Sequence, residues 1–315
     1  MPTSGSVDFS VSRLEIITEA LQICEVLGEG NTPNTNQVSD CSRTLNMVTK
    51  HLQSKGFNLW TNKQALVFPA ANQSKYVLGV GSSDHSCNID DFVGTTVRIA
   101  YAAGLTLEVV STTGMTTGDF IGVVTDSGTL EWKTLTIVDA DTVTLSGALS
   151  TTAAIGKQIY TYTTKINRPL RVHSAFQRNM VSTTDTEVIV ISKKEYDNMS
   201  VKTTDSSNIN QVYYDPQLVQ GLLFSWPEPS DMTGVLYIRY TRPIEDFDAD
   251  ANTPDFPQEH YLRICWTLAR FIMTKYGCAS DTKQLILNTY LELTAEDLAF
   301  DVEGDTSIFI RPMQG

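Results

Sequence analysis

The chain has 315 residues, of which 41% are hydrophobic and 19% charged, and carries a formal net charge of −13 with a pI near 4.7. That length supports two domains with a core each. The acidity argues against a direct nucleic-acid reader, which needs clustered Lys and Arg, and no run of roughly 18 apolar residues offers a membrane span.

Ser12-Arg13-Leu14-Glu15 has the form of a capping box, and Leu14, Ile17, Leu21 and Cys24 then share one helical face, with Gly28 to Gly30 as the stop. Thr32-Pro33 reads as the next helix start, and Val38, Cys41, Leu45, Val48 and Leu52 continue at helical spacing to Gly56. Short strands are expected at 65–68 and 76–78. From about 93 to 164 the texture changes to Thr- and Gly-rich sequence with sparse charge, and strands are expected at 97–100, 107–110, 120–124, 132–138, 142–145 and 158–162. Turn signals at intervals between them mark a small barrel or sandwich.

Strand patterns resume at 170–175, 188–192, 211–214, 222–226 and 235–240, with a short helical turn at 195–199; Pro227 and Pro229 force an extended exit after Trp226. An acidic loop spans 246–255. Pro257 then starts a helix whose stripe is Cys265, Leu268, Ala269, Ile272 and Tyr276, ended by Gly277. Ser280 caps a last helix carrying Ile286, Leu287, Tyr290, Leu291, Leu293 and Leu298. Beyond it, Ile308, Phe309, Ile310, Arg311 and Pro312 form a short apolar run with nothing local to bury it, which suits pairing with another chain.

The two helical pairs at the ends are each too small to hold a core alone, so they are expected to pack together. The resulting expectation is an α+β protein: residues 1–92 and 165–315 form a core of a four-helix bundle plus a β region, and residues 93–164 form an inserted small all-β domain.

Reactive motifs are weak. Asp246, Asp248, Asp250 and Asn252 copy the start of a calcium loop, but Ala251 and Pro257 stand where Gly and the bidentate Glu belong, so a solvated acidic loop is expected. His85-x-Cys87 beside Asp84 and Asp90 is half of a metal site with no second ligand pair. No Gly-x-Ser-x-Gly, His-Glu-x-x-His or phosphate loop is present. Glu195 and Glu228 are the carboxylates a sugar hydrolase could use. Neither cofactor nor metal is expected, and an enzyme is the weaker class.

Several stretches together are similar to the head-to-tail adaptor (tail accessory factor) family of short-tailed bacteriophages. They are Val26-Leu27-Gly28-Glu29-Gly30, Gly56-Phe57-x-Leu59-Trp60, and Tyr213-Tyr214-Asp215-Pro216 with Gly221-Leu222 and Trp226-Pro227-x-Pro229 after it. Phe247, Pro254, Pro257-x-Glu259, Leu262, Leu268-Ala269 and Tyr276-Gly277 complete the set. The likeness covers both ends and 165–245, not 93–164, and it lies in the order of the motifs. It implies a homo-oligomeric ring, twelvefold, docked between the portal protein and the tail nozzle protein of a virion. DNA would pass through an acidic, non-sticking channel, and the 308–312 run would be the portal-binding arm. The inserted block would hold a tail fibre or spike, or brace the neighbouring subunit. The first residues lack the basic and apolar regions of a signal peptide, and five widely spaced cysteines suit synthesis in the reducing host cytoplasm. The alternative reading is a virion-associated peptidoglycan hydrolase using Glu195 or Glu228.

Overall fold

A computed structural model describes residues 8–54, 61–180, 182–230 and 234–300, with side chains described to 296. It contains five helices, α1 (Arg13–Ile23), α2 (Thr35–Ser54), α3 (Lys193–Asp197), α4 (Tyr261–Ile272) and α5 (Ser280–Phe300), and fifteen strands in three sheets among the described residues. The chain divides into a helical unit, Met1–Thr61 with Ile244–Gly315, and a sheet unit, Asn62–Pro243.

The expectation of an α+β protein organised on a four-helix core with a small insert is overturned: the chain is mostly β, and helices make up about a quarter of it. Strands are expected at most of these places; what is not foreseen is that they join into a seven-stranded and a six-stranded sheet that outweigh the helices. Long helices repeat an apolar stripe over three to five turns, whereas each of these strands is short and half of its residues point away from the core.

In the helical unit, Ile16, Ile17, Ala20 and Leu21 of α1, Cys41, Leu45 and Val48 of α2, and Ile264, Leu268 and Ile272 of α4 share one core, which Ile286 of α5 joins. The capping box forms: the Ser12 backbone N–H donates to Glu15 (2.7 Å) and the Glu15 N–H to Ser12 Oγ (3.3 Å). The helix does not run to Gly28. It stops at Ile23 because Glu25 turns left-handed (φ 58°). Val26 N–H then donates to Leu21 O (3.0 Å) and Glu25 N–H to Gln22 O (2.9 Å), the paired closure of a Schellman end. The α4 segment ends the same way, with Gly277 (φ 69°) in the left-handed position and Cys278 N–H donating to Met273 O (3.1 Å).

The sheet unit holds a seven-stranded sheet ordered β1 (Asn62–Val67), β15 (Gly234–Thr241), β9 (Arg171–Asn179), β10 (Asp185–Ile191), β12 (Gln211–Pro216), β13 (Gly221–Trp226) and β2 (Lys75–Leu78). Its pairs are antiparallel except β10 with β12, whose crossover carries α3. A six-stranded sheet runs β3 (Val93–Thr96), β8 (Gln158–Tyr162), β5 (Phe120–Val124), β6 (Leu130–Val138), β7 (Thr142–Leu145) and β4 (Thr106–Glu108). It curls until its ends meet: Arg98 N–H donates to Glu108 O (2.9 Å) and Val110 N–H to Thr96 O (3.0 Å). The third sheet is one parallel pair, β11 (Asp205–Ser206) with β14 (Glu228–Pro229).

Strand alternation gives the seven-stranded sheet two apolar faces. Ala65, Val67, Leu236 and Ile238 point to one core; Leu66, Phe68 and Val235 point to another, shared with Tyr160 and Tyr162 of the six-stranded sheet. That second core is aromatic, with ring centroids of Phe68 and Tyr160 4.4 Å apart and Trp132 and Tyr162 5.5 Å apart. Gly122 makes room for it, since a Cβ there would lie 2.9 Å from the Trp132 ring.

Candidate assembly surface

Helix α5 departs furthest from the amphipathic norm. Ile286 and Tyr290 point into its own unit, yet Leu285 is 59% exposed and Leu291 62% exposed on other sides of the same helix. Its main packing partner is α4. A helix with apolar residues on several sides belongs in an interior, and the described residues cover only part of this one.

A second uncovered region lies on α2 and α4. Met47 (58% exposed) sits one turn from Arg43 and one turn from His51 on the outer face of α2, and Phe271 (46% exposed) projects from α4 beside His51, their rings 6.2 Å apart. Lys275 reaches Asp40 at 2.7 Å and Arg43 reaches it at 3.1 Å. The Lys275 hydrogen bond holds the Asp40 carboxyl below the usual carboxylate range.

The acidic loop keeps Asp246, Asp248 and Asp250 exposed, while its backbone is tied into the helical unit. Along α2, Asn46, Lys50 and Gln53 recur at i, i+4 and i+7 and grip the backbone entering the loop. Asn46 Nδ2 donates to Phe247 O (3.3 Å) and Phe247 N–H to Asn46 Oδ1 (2.9 Å). Ile244 N–H donates to Gln53 Oε1 (3.2 Å), while Lys50 donates to Ile244 O and pairs with Asp246 at 2.8 Å. On α1, Arg13 pairs with Asp250, and the Arg13 and Leu14 N–H groups donate to Asn252 O (2.8 Å) and Asp250 O (3.2 Å). The loop thus satisfies N–H groups that open α1. Sequence reasoning missed this clamp; the signal was a polar stripe at helical spacing flanking the apolar one.

The motif residues fall in both units. On β12, Tyr213 faces Phe224 across the β12–β13 pair with rings 5.8 Å apart, and Tyr196 of α3 covers both at 5.6 and 5.4 Å. Tyr214 points to the opposite face, packs over Gly221 and donates to Pro169 O. Asp215 accepts from Gln217 Nε2 (2.6 Å), and Pro216 pairs with Gly221 at the end of the ladder. Trp226 donates from Nε1 to Val201 O (3.0 Å), and its bond to Pro227 is cis. In the helical unit, Pro257 precedes a 3-10 turn (Gln258–His260) containing exposed Glu259, so α4 proper begins at Tyr261, four residues later than the sequence suggested. Tyr276 lies against the core with its hydroxyl 3.8 Å from Cys41 Sγ, and Gly277 closes the helix. These are positions of packing, turning and capping. Ile308, Phe309, Ile310, Arg311 and Pro312 lie outside the described residues.

Residues singled out for chemistry have other occupations. Glu195 belongs to a second capping box, accepting from the Ser192 N–H at 2.7 Å, and that bond holds its carboxyl below the usual range; a proton donor for glycoside cleavage needs the opposite shift. Cys87 is buried and donates to Val77 O (3.2 Å), while Asp84 accepts from Ser86 and Gln73. His85 stacks on Phe120 at 4.5 Å, and burial lowers its pKa. No group of three or more His, Cys, Asp or Glu converges as a metal site among the described residues. An apolar cavity of about 50 Å3 beside Leu52, Phe256, Pro257 and Ile264 is far below the roughly 300–1,000 Å3 of small-molecule sites.

These surfaces combine exposed apolar and charged side chains, with no convergent metal-ligating cluster among the described residues. No protein-family model matches this sequence, and no curated protein matches it.

Proposed function

We propose that the chain is a structural subunit of a head-to-tail adaptor, one copy in a ring between the portal protein and the tail nozzle of a short-tailed phage virion. The observation that carries this reading is α5, whose apolar residues face several directions while its own unit covers one. A ring subunit needs two different sticky surfaces, because a heterologous contact repeated around an axis closes on itself. The α2–α4 region around Met47 and Phe271 supplies the second. The order of the adaptor-like motifs along the chain points the same way. An acidic subunit, net −13, suits a channel through which DNA passes without adhering. The six-stranded sheet, with a core of its own, is the part free to carry a tail appendage.

Mass photometry of the full chain, alone and mixed with the portal protein of the same particle, tests this. A discrete annular multiple of the chain mass, alone or on the portal, is the expected result. A protein that stays monomeric in both conditions and leaves the portal mass unchanged overturns it.

A further inference from the structure

We infer that neighbouring copies join by seating the outer flank of α5 of one copy on the α2–α4 patch of the next, an acidic apolar surface meeting a basic apolar one. The inference rests on the ring reading above and names the two faces that would make it. The outward side of α5 presents Leu285 with Asp281, Glu292 and Glu296, all exposed. Lys283 lies nearer the buried flank, so this side carries acid alone. The α2–α4 patch presents Met47 and Phe271 with Arg43, whose side chain is 71% exposed, and Lys275, at 39%. Asp40 sits between those two cations and offsets one of them. In a chain of net charge −13 this exposed apolar patch is locally cationic.

The occupant of each face is a second copy, because the chain itself supplies both halves: apolar centre against apolar centre, carboxylates against Arg43 and Lys275. Opposite charge at the rim fixes orientation and register more than strength, and suppresses the wrong pairings. Patch against patch and flank against flank would set like charges together. The favoured contact is therefore head to tail, the kind that closes a ring.

Reversing charge on one face at a time tests this on the full-length protein. In variant one, Arg43→Glu and Lys275→Glu make both faces acidic; in variant two, Glu292→Lys and Glu296→Lys make both basic. Sedimentation velocity, alone and beside portal protein, should show each variant associating more weakly than wild type by on the order of tenfold or more. A one-to-one mixture of the two should regain association, because every contact is again between opposite charges. If either double reversal unfolds the helical unit, Met47→Ser and Leu285→Ser, both at exposed positions, should each weaken association while leaving the circular dichroism unchanged. Variants that associate as wild type does, or a mixture that stays monomeric, overturn the pairing of these faces while leaving a ring possible by other contacts. A wild-type chain that never associates, alone or with portal, overturns both the pairing and the ring.

Discussion

The helical and sheet units expose apolar side chains on different kinds of element: the sheet unit mainly in loops and at strand ends, as at Leu218 and Val219, the helical unit mainly on helices. In the sheet unit many aromatic residues are spent internally, and other segments bond to parts of the sheet borders. The outer edge of β2 is met by Asn88, whose Nδ2 donates to Val77 O (2.9 Å); β1 is met by Ile89, whose carbonyl accepts from Leu66 N–H (2.8 Å). The six-stranded sheet joins its own ends. Open strand edges invite pairing with other chains, and these contacts occupy part of them. The helical unit instead leaves Leu285, Leu291, Met47 and Phe271 outside its core. On the ring reading proposed above, self-association would use the helical faces.

The largest effect should come from breaking one core and leaving the others. Leu45→Ala empties a fully buried site in the helical unit and should cost about 2–5 kcal/mol. Hydrogen exchange should show lost protection in α1, α2 and α4 and unchanged protection in β9 and β15. Gly122→Ala attacks the sheet unit instead. A methyl group there meets the Trp132 ring, so overpacking should cost about 1–3 kcal/mol, with altered tryptophan emission as the readout.

Smaller and opposite effects are expected at the two Schellman ends. Gly277→Ala places a side chain in a left-handed residue and should destabilise by about 1 kcal/mol; Glu25→Gly relieves the same strain and should stabilise by a similar or smaller amount. Thermal midpoints of the two variants measured side by side check the sign.

The response to acid should also separate the units. Burial, then Lys165, lowers the pKa of His85 below the ordinary 6.5, and burial, then Arg171, does the same to His173. The folded sheet unit therefore binds fewer protons than its unfolded chain once pH falls through about 6.5. Stability is full above that value and declines below it. In the helical unit the shifted groups that titrate in acid are carboxylates. The Ser12 backbone bond lowers Glu15 below its ordinary 4.5, and Lys275 lowers Asp40 below 3.8, so their contribution persists until pH falls through those lower values. Urea midpoints at pH 7.5 and 5.5 should drop for the sheet unit first, and His85→Gln should flatten that drop.

Much of the helical unit was legible because its signals are periodic or local. The Ser12–Glu15 box and the stripe Cys41, Leu45, Val48 and Leu52 need no knowledge of distant contacts. The stop of α1 was misplaced because a left-handed Glu25 gives no warning in sequence, whereas Gly277 does. The dominance of β structure was misjudged for a physical reason. Pairing such as Tyr213 with Phe224, or Arg98 with Glu108, is specified between residues 10 or more positions apart, and each short strand carries little evidence of its partner. The loop clamp at Asn46, Lys50 and Gln53 was hidden likewise, since its acceptors and donors lie some 200 positions later. Exposure on α5 could not be read at all: Leu285 and Leu291 look like core residues until the helix is seen to have one covered side.

Hydrogen–deuterium exchange on the full chain, compared before and after it assembles on portal protein, addresses the division of labour between the units most directly. Slowed exchange concentrated in α5 and in the Arg43–His51 stretch of α2, with the strands of both large sheets unchanged, is the predicted pattern. Protection gained along the six-stranded sheet while α5 exchanges as it does in the isolated chain would contradict it.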